Sequence, residues 1–127
     1  MIYTTDTHAL VWHLACDDRL GKNARAIFNK GDRGEAEIVL PTVVLAEALY
    51  ISRRGNVSFD LLMNAVRSAR NYSVYPLGLN VVQEMRRLGA EYTLHDAVIV
   101  ATARILDTPV ITRDEIIRRL GDVKVIW

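Results

Sequence analysis

PVITRD, Pro109–Asp114, repeats late in the chain what IYTTD, Ile2–Asp6, states near its start. In each, a short apolar run leads into Thr-x-Asp and then into helical spacing, which reads as a buried strand ending in a carboxylate. Three further strands are expected: AEIVLP (Ala36–Pro41), YSVYPL (Tyr72–Leu77) and VKVIW (Val123–Trp127). Segments of helical period separate them: THALVWHLA after Asp6, KNARAIFNKG stopping at Gly31, TVVLAEALYISRR ending near Gly55, and SFDLLMNAVRSAR with Ser58 as its N-cap. NVVQEMRRLG closes at Gly89, TLHDAVIVATARILD is long and very apolar, and RDEIIRRLG is short. Strands that alternate with helices predict a mainly parallel sheet covered on both faces, a three-layer α/β/α sandwich forming one domain over residues 1–127.

Half of the 127 residues are hydrophobic and 24% are charged, the balance of a globular chain able to bury a core. The formal net charge of +1 excludes a broad polycation, although a local basic patch beside an acidic pocket remains compatible with it. Thirteen arginines face three lysines, with pairs at Arg53-Arg54, Arg86-Arg87 and Arg118-Arg119. Composition bias and surface ion pairs account for most of that excess, and phosphate recognition for less. Cys16 stands alone, which excludes an internal disulfide and a cysteine cluster for zinc; it is expected in the core. The start of the chain carries no basic segment followed by a long apolar one, so no signal peptide is expected. The longest apolar run, Ile38–Ile51, is interrupted by Pro41 and Glu47 and is not expected to span a membrane. A cytoplasmic, reducing location follows as the expectation.

Ligands of open parallel sheets bind beyond the carboxyl ends of the strands, and Asp6 and Asp114 both fall there. Taken singly, each also suits the N-cap of the following helix, a role worth ~1 kcal/mol. Two more acids shift the balance. Glu47 has Val43, Val44, Tyr50 and Ile51 as its helical neighbours, which puts a carboxylate on an apolar face; a buried pair with Arg104 or Arg113 is the alternative. Asp96 opens the apolar run DAVIVATA, and Thr93-x-x-Asp96 also has the form of a capping box. Two carboxylates about 4 Å apart repel by roughly 4 kcal/mol at an effective dielectric near 20. Four in one pocket therefore require protons or a cation, and oxygen donors without His or Cys select a hard ion, Mg²⁺ or Mn²⁺. Such ions serve phosphate chemistry by activating water and stabilising an in-line displacement.

IYTTDTHALVW, the Glu within PTVVLAEALYI, LHDAVIVATA, PVITRD and the closing VKVIW together resemble the PIN domain over essentially the whole chain, and most of all the VapC-type ribonuclease toxins of toxin–antitoxin pairs. The resemblance implies a metal-dependent ribonuclease whose acidic quartet is Asp6, Glu47, Asp96 and Asp114. Asp6, Asp96 and Asp114 would hold Mg²⁺ or Mn²⁺, Glu47 would orient the attacking water, and Thr112 and Arg113 would support the site or touch substrate. Hydrolysis would leave a 5′-phosphate and a 3′-hydroxyl. The resemblance also implies an RNA substrate, a cognate antitoxin partner and a homodimer. Leu10, Val11 and Trp12, with SFDLLMNAV, are either core or part of such surfaces. Many relatives carry a further Asp where this chain has Glu115, and His95 has no assigned role; His8 and His13 are expected at the surface or in the core rather than on a metal.

Other chemistries fit less well. A phospho-acceptor receiver domain needs an Asp at the end of the third strand, where YSVYPL has none, and a phosphatase with an Asp nucleophile needs Asp-x-Asp where this chain has Asp6-Thr7-His8. A catalytically silent PIN-like module that binds RNA or protein is the non-enzymatic alternative, and the intact quartet argues against it. An RNA-processing nuclease that is not a toxin is the remaining one.

Overall fold

Tyr3, Thr4 and Thr5 are buried one after another in β1 (Ile2–Thr5), and Ile38 through Pro41 likewise in β2 (Glu37–Pro41). Successive residues of a strand point to opposite faces, so unbroken burial means that the sheet is covered on both sides. The computed structural model describes residues 1–55 and 57–127. Three strands complete the sheet: β3 (Tyr72–Tyr75), β4 (Val110–Ile111) and β5 (Val125–Ile126). All pairings are parallel, in the order β3-β2-β1-β4-β5. Among the described residues, seven helices pack about the sheet: α1 (Thr7–Leu14), α2 (Lys22–Asp32), α3 (Thr42–Ser52), α4 (Phe59–Ser68), α5 (Leu79–Met85), α6 (Leu94–Leu106) and α7 (Glu115–Leu120).

The strand order has one functional consequence. From β1 the chain steps outward to β2 and β3, then crosses back to lay β4 on the other side of β1. The reversal between β1 and β4 is a topological switch point, where an open parallel sheet leaves a crevice at its carboxyl edge. Asp6 directly follows β1, and Asp114 lies three residues beyond Ile111 of β4. The register pairs Thr4 with Val110 and Thr5 with Ile111, bringing both acids to that crevice.

Leu10, Phe28, Ile38, Leu40, Ile99 and Ile111 belong to the main core, and Val81, Val98 and Ala101 to a smaller one that joins α5 to α6. Val98 to Ala103 are buried without a break, so α6 is enclosed on every side over nearly two turns, as DAVIVATA implies. Leu10, Val11 and Trp12 are core rather than interface. In α4, Leu62 is buried while Leu61 is exposed.

Several boundaries differ from the sequence reading. α2 runs past Gly31 to Asp32, and a Cβ on Gly31 would lie 3.1 Å from Ile38 Cγ1, so that glycine serves close packing on β2 rather than termination. α3 ends at Ser52 and α5 at Met85, short of Gly55 and Gly89. Cys16, expected in the core, is exposed. α1 stops at Leu14, and Cys16 takes a left-handed conformation (φ 53°) in the turn beyond it, which points the chain outward. Among the described residues, no helix is long and apolar enough to cross a membrane.

Candidate active site

Asp6 and Asp114 both cap helices, and one hydroxyl joins them. Asp6 Oδ1 accepts from Ala9 N at 2.9 Å, capping α1, while Oδ2 accepts a short bond from the Thr112 hydroxyl. The same Thr112 oxygen accepts from the Asp114 amide at 3.0 Å. Asp114 Oδ1 then takes the amides of Ile116 and Ile117 at 2.8 and 2.9 Å, capping α7. Thr112 is completely buried, so this bridge is fixed from within the sheet edge. Among the described residues, Asp114 Oδ2 has no protein partner, which leaves it available at the rim.

Glu47 and Asp96 approach the same rim from helices. Glu47 Oε1 accepts the Thr7 hydroxyl at 2.7 Å, and Oε2 lies 2.9 Å from His95 Nδ1. Arg104 instead binds Glu84 at 2.8 Å, and Arg113 lies over Trp12, so neither proposed arginine neutralises Glu47. The apolar face expected around Glu47 is only half present: Val44 is buried, but Tyr50 is 65% exposed. α3 has one side on the core and turns Glu47 along its margin. The Thr93 hydroxyl accepts from the Asp96 amide at 3.2 Å, so Thr93 is the N-cap of α6 and fixes its first turn, with Asp96 partly exposed.

Mutual charge ties the acids together. Burial pushes the Asp6 carboxyl up to about 6, against the pull of Thr112, the Ala9 amide and His8, and the Asp96 charge adds to the rise. Asp96 is also raised, first by burial, then by the charges of Asp114 and Glu47, with Thr93 and His95 opposing. The four carboxylates therefore feel one another as a group that favours a proton or a cation. Among the described residues, no three Asp, Glu, His or Cys side chains are gathered into a ready-made metal cage. The donor set nevertheless suits a hard divalent ion: it is all oxygen, it carries excess negative charge, and one Asp114 oxygen is uncommitted. Mg²⁺ in particular is held by one or two carboxylates, with waters and substrate phosphate filling its remaining positions.

Sequence reasoning missed what surrounds the acids. The Arg113 and Arg19 guanidinium carbons lie 4.7 and 4.6 Å from the Trp12 ring centroid, and Trp127 packs edge-on against Trp12 at 5.9 Å. Only Arg113, beside Asp114, was readable in advance; Trp12, Arg19 and Trp127 converge from distant parts of the chain. His8 is exposed and packs on Trp12 at 5.5 Å, while His13 stacks on Phe28 and contacts Asp32 at 3.1 Å. Among the described residues, neither is hydrogen-bonded to any of the four acids, although His8 lines the cavities beside Asp6 and Glu47. Glu115 is exposed in the first turn of α7. A cavity of about 400 Å³ includes Asp6, Asp114 and Arg113; one of about 510 Å³ includes Glu47 and His95; and a larger one of about 740 Å³, between α3 and α4, includes none of the four acids.

A sequence profile of the PIN domain matches residues 3–123. No curated protein matches by sequence. Among solved structures, the chain is similar to VapBC2 from Rickettsia felis bound to a promoter DNA fragment (TM-score 0.73, 14% identity, 99% of this chain and 98% of that one). It is also similar to FitAcB from Neisseria gonorrhoeae (0.71, 18%, 100% and 97%) and to Mycobacterium tuberculosis VapC20, a sarcin–ricin loop cleaving toxin (0.69, 19%, 98% and 98%). At these identities the likeness is one of fold.

Proposed function

The chain belongs to the PIN-domain family, and from that premise we propose that it is a divalent-metal-dependent ribonuclease acting as the toxin of a toxin–antitoxin pair. One observation carries the proposal: Asp6, Glu47, Asp96 and Asp114 meet at the sheet's switch point, with Asp6 and Asp96 raised partly by neighbouring acids. A purely structural role explains each cap but not the gathering of four acids at an electrostatic cost.

Asp6, Asp96 and Asp114 would hold Mg²⁺ or Mn²⁺. When bound, the ion supplies positive charge against the developing phosphorane and lowers the pKa of water. Thr112 aligns Asp6 with the backbone of Asp114, so the two acids keep a fixed separation as substrate arrives. Thr7 and His95 hold the Glu47 carboxylate in place, and Glu47 orients the attacking water and accepts its proton. The water oxygen bonds to phosphorus as the bond to the 3′ oxygen breaks, and that oxygen takes a proton from solvent water, leaving a 5′-phosphate and a 3′-hydroxyl. Arg113 contacts the phosphate backbone beside the acids.

Similarity to VapBC2, FitAcB and a toxin–antitoxin complex from Klebsiella pneumoniae supports a cognate antitoxin as partner, and a homodimer in the cytoplasm is the matching assembly. The test is cleavage of end-labelled single-stranded RNA with Mg²⁺, Mn²⁺ or EDTA, followed by identification of the new ends. Metal-dependent cutting with 5′-phosphate products is expected. Cutting that persists in EDTA, or cyclic phosphate ends, would overturn the mechanism.

A further inference from the structure

A single carboxylate grips α6 at both ends. The Tyr92 hydroxyl, one residue before the Thr93 cap, donates to Asp122 Oδ2 at 2.7 Å. Arg104, in the last turn of α6, donates to Asp122 Oδ1 at 3.5 Å, while its Nε donates to Glu84 of α5 at 2.8 Å. Asp122 stands just past α7, where Gly121 ends that helix in a left-handed conformation (φ 72°). Arg119 of α7 pairs with Glu91 at 2.8 Å, an exposed bond at the same junction. Desolvation, then the bond to Asp122, holds the Tyr92 phenol well above its usual range, so it stays protonated and donating.

These bonds lie away from the acidic rim but connect the supports of two residues on it. α6 is enclosed from Val98 to Ala103, whereas Leu94 and His95 in its first turn are exposed. The core therefore holds the middle of the helix more firmly than the turn that carries Asp96. The Thr93 cap shapes that turn from within and does not attach it to another element. His95 fastens it to α3 through Glu47, and Tyr92 fastens it to the end of α7. α7 is six residues and about 9 Å long, with Asp114 at its start and Asp122 beyond its end. The tie from Tyr92 to Asp122 thus closes a frame. Asp96 lies four residues from one end of the tie, and Asp114 one short helix from the other. Mg²⁺ demands near-ideal geometry, so a shift of either carboxylate would be felt in affinity.

We propose that Tyr92 and Asp122 are positioning residues that fix the separation of Asp96 and Asp114, and through it the fit of the rim to a divalent ion. The inference rests on the metal-dependent nuclease reading, and one arm of its test needs neither metal nor RNA. Tyr92→Phe removes a hydroxyl and no charge. Asp122→Ala removes the acceptor, and Asp122→Asn keeps an acceptor without the charge. Ile38→Val, in the core strand β2, is a destabilised variant outside the tie. Mn²⁺ affinity is read by electron paramagnetic resonance of the free ion, cleavage by steady-state kinetics on single-stranded RNA, and local order by amide hydrogen exchange in EDTA.

Tyr92→Phe and Asp122→Ala are each expected to weaken Mn²⁺ binding about tenfold, and the double variant no further than Asp122→Ala alone. Asp122→Asn should recover most of the loss. At fixed Mn²⁺, kcat should fall while KM for RNA holds. In EDTA, the amides of Asp96 and Ala97 should exchange faster in Tyr92→Phe than in Ile38→Val. A tie that is only structural would lower the unfolding midpoint, as Ile38→Val does. Mn²⁺ affinity left at the wild-type value in Tyr92→Phe would overturn the proposal, whatever happens to stability. A wild type that neither binds Mn²⁺ nor cuts RNA would remove the nuclease reading, and exchange would then decide the tie. Faster exchange confined to the first turn of α6 would support it, and unchanged exchange there would overturn it.

Discussion

Asp6 accepts a backbone amide and a threonine hydroxyl, yet its carboxyl is pushed up to about 6 because burial and Asp96 outweigh those bonds. The native protein thus holds that proton more tightly than the unfolded chain. The associated stability is complete below the unfolded value, near 4, and is lost as pH rises through about 6. A shift of that size corresponds to up to about 3 kcal/mol. Denaturant unfolding in EDTA at pH 4.5 and 7.5 should show wild type losing stability relative to Asp6→Asn as pH rises, since Asn keeps the cap but not the charge. An identical pH dependence for the two proteins would refute the shift. Thr112→Val removes the hydroxyl between the two acids and should cost about 1–3 kcal/mol, while Thr112→Ser should cost far less, both read from the unfolding midpoint. The two Thr-x-Asp repeats made both acids legible in the sequence. That Thr112 would serve Asp6 as well as Asp114 was not, because the link spans 106 positions.

At the scale of the element, the side chain that caps α7 is also one that would hold the ion in the proposed mechanism. Asp114 spends Oδ1 on two amides of α7 and keeps Oδ2 for the rim. Asp114→Asn should therefore leave thermal stability close to wild type and abolish RNA cleavage, whereas Asp114→Ala should lose cleavage and about 1 kcal/mol together. Equal melting temperatures for the two variants would show that the cap contributes nothing. Helices with strong patterns were readable: Ser58 caps α4, and the unbroken burial of α6 follows from DAVIVATA. Helix ends were less so, since Gly31 looks like a stop signal but sits where a Cβ would come within 3.1 Å of Ile38 Cγ1. The arginine pair held as the alternative for Glu47 does not form, and its actual partner was not legible in the sequence. An arginine is the usual counterion, but the fold delivers His95 from the first turn of α6.

For the whole molecule, the switch between β1 and β4 is what brings acids scattered along the chain to one rim of the sheet. Alternation of strands and helices announced the parallel sheet, and the family resemblance supplied the quartet. The arginine–tryptophan stack depends on convergence from three separate segments and had no local signature. A cation that binds only the folded rim should stabilise the molecule by about 2.7 kcal/mol at a hundredfold excess over its dissociation constant. Mg²⁺ or Mn²⁺ should thus raise the melting temperature of wild type by several degrees and that of Asp96→Asn much less, with EDTA reversing the effect. Equal shifts would place the ion elsewhere. The most direct measurement is the single-turnover RNA cleavage rate of Asp6→Asn, Glu47→Gln, Asp96→Asn and Asp114→Asn beside wild type, with unfolding midpoints taken on the same samples. Losses of more than about a hundredfold in all four, with midpoints at or above wild type in EDTA, are expected of acids that act on substrate together. Wild-type rates in two or more of them would show the carboxylates to be helix caps and nothing further.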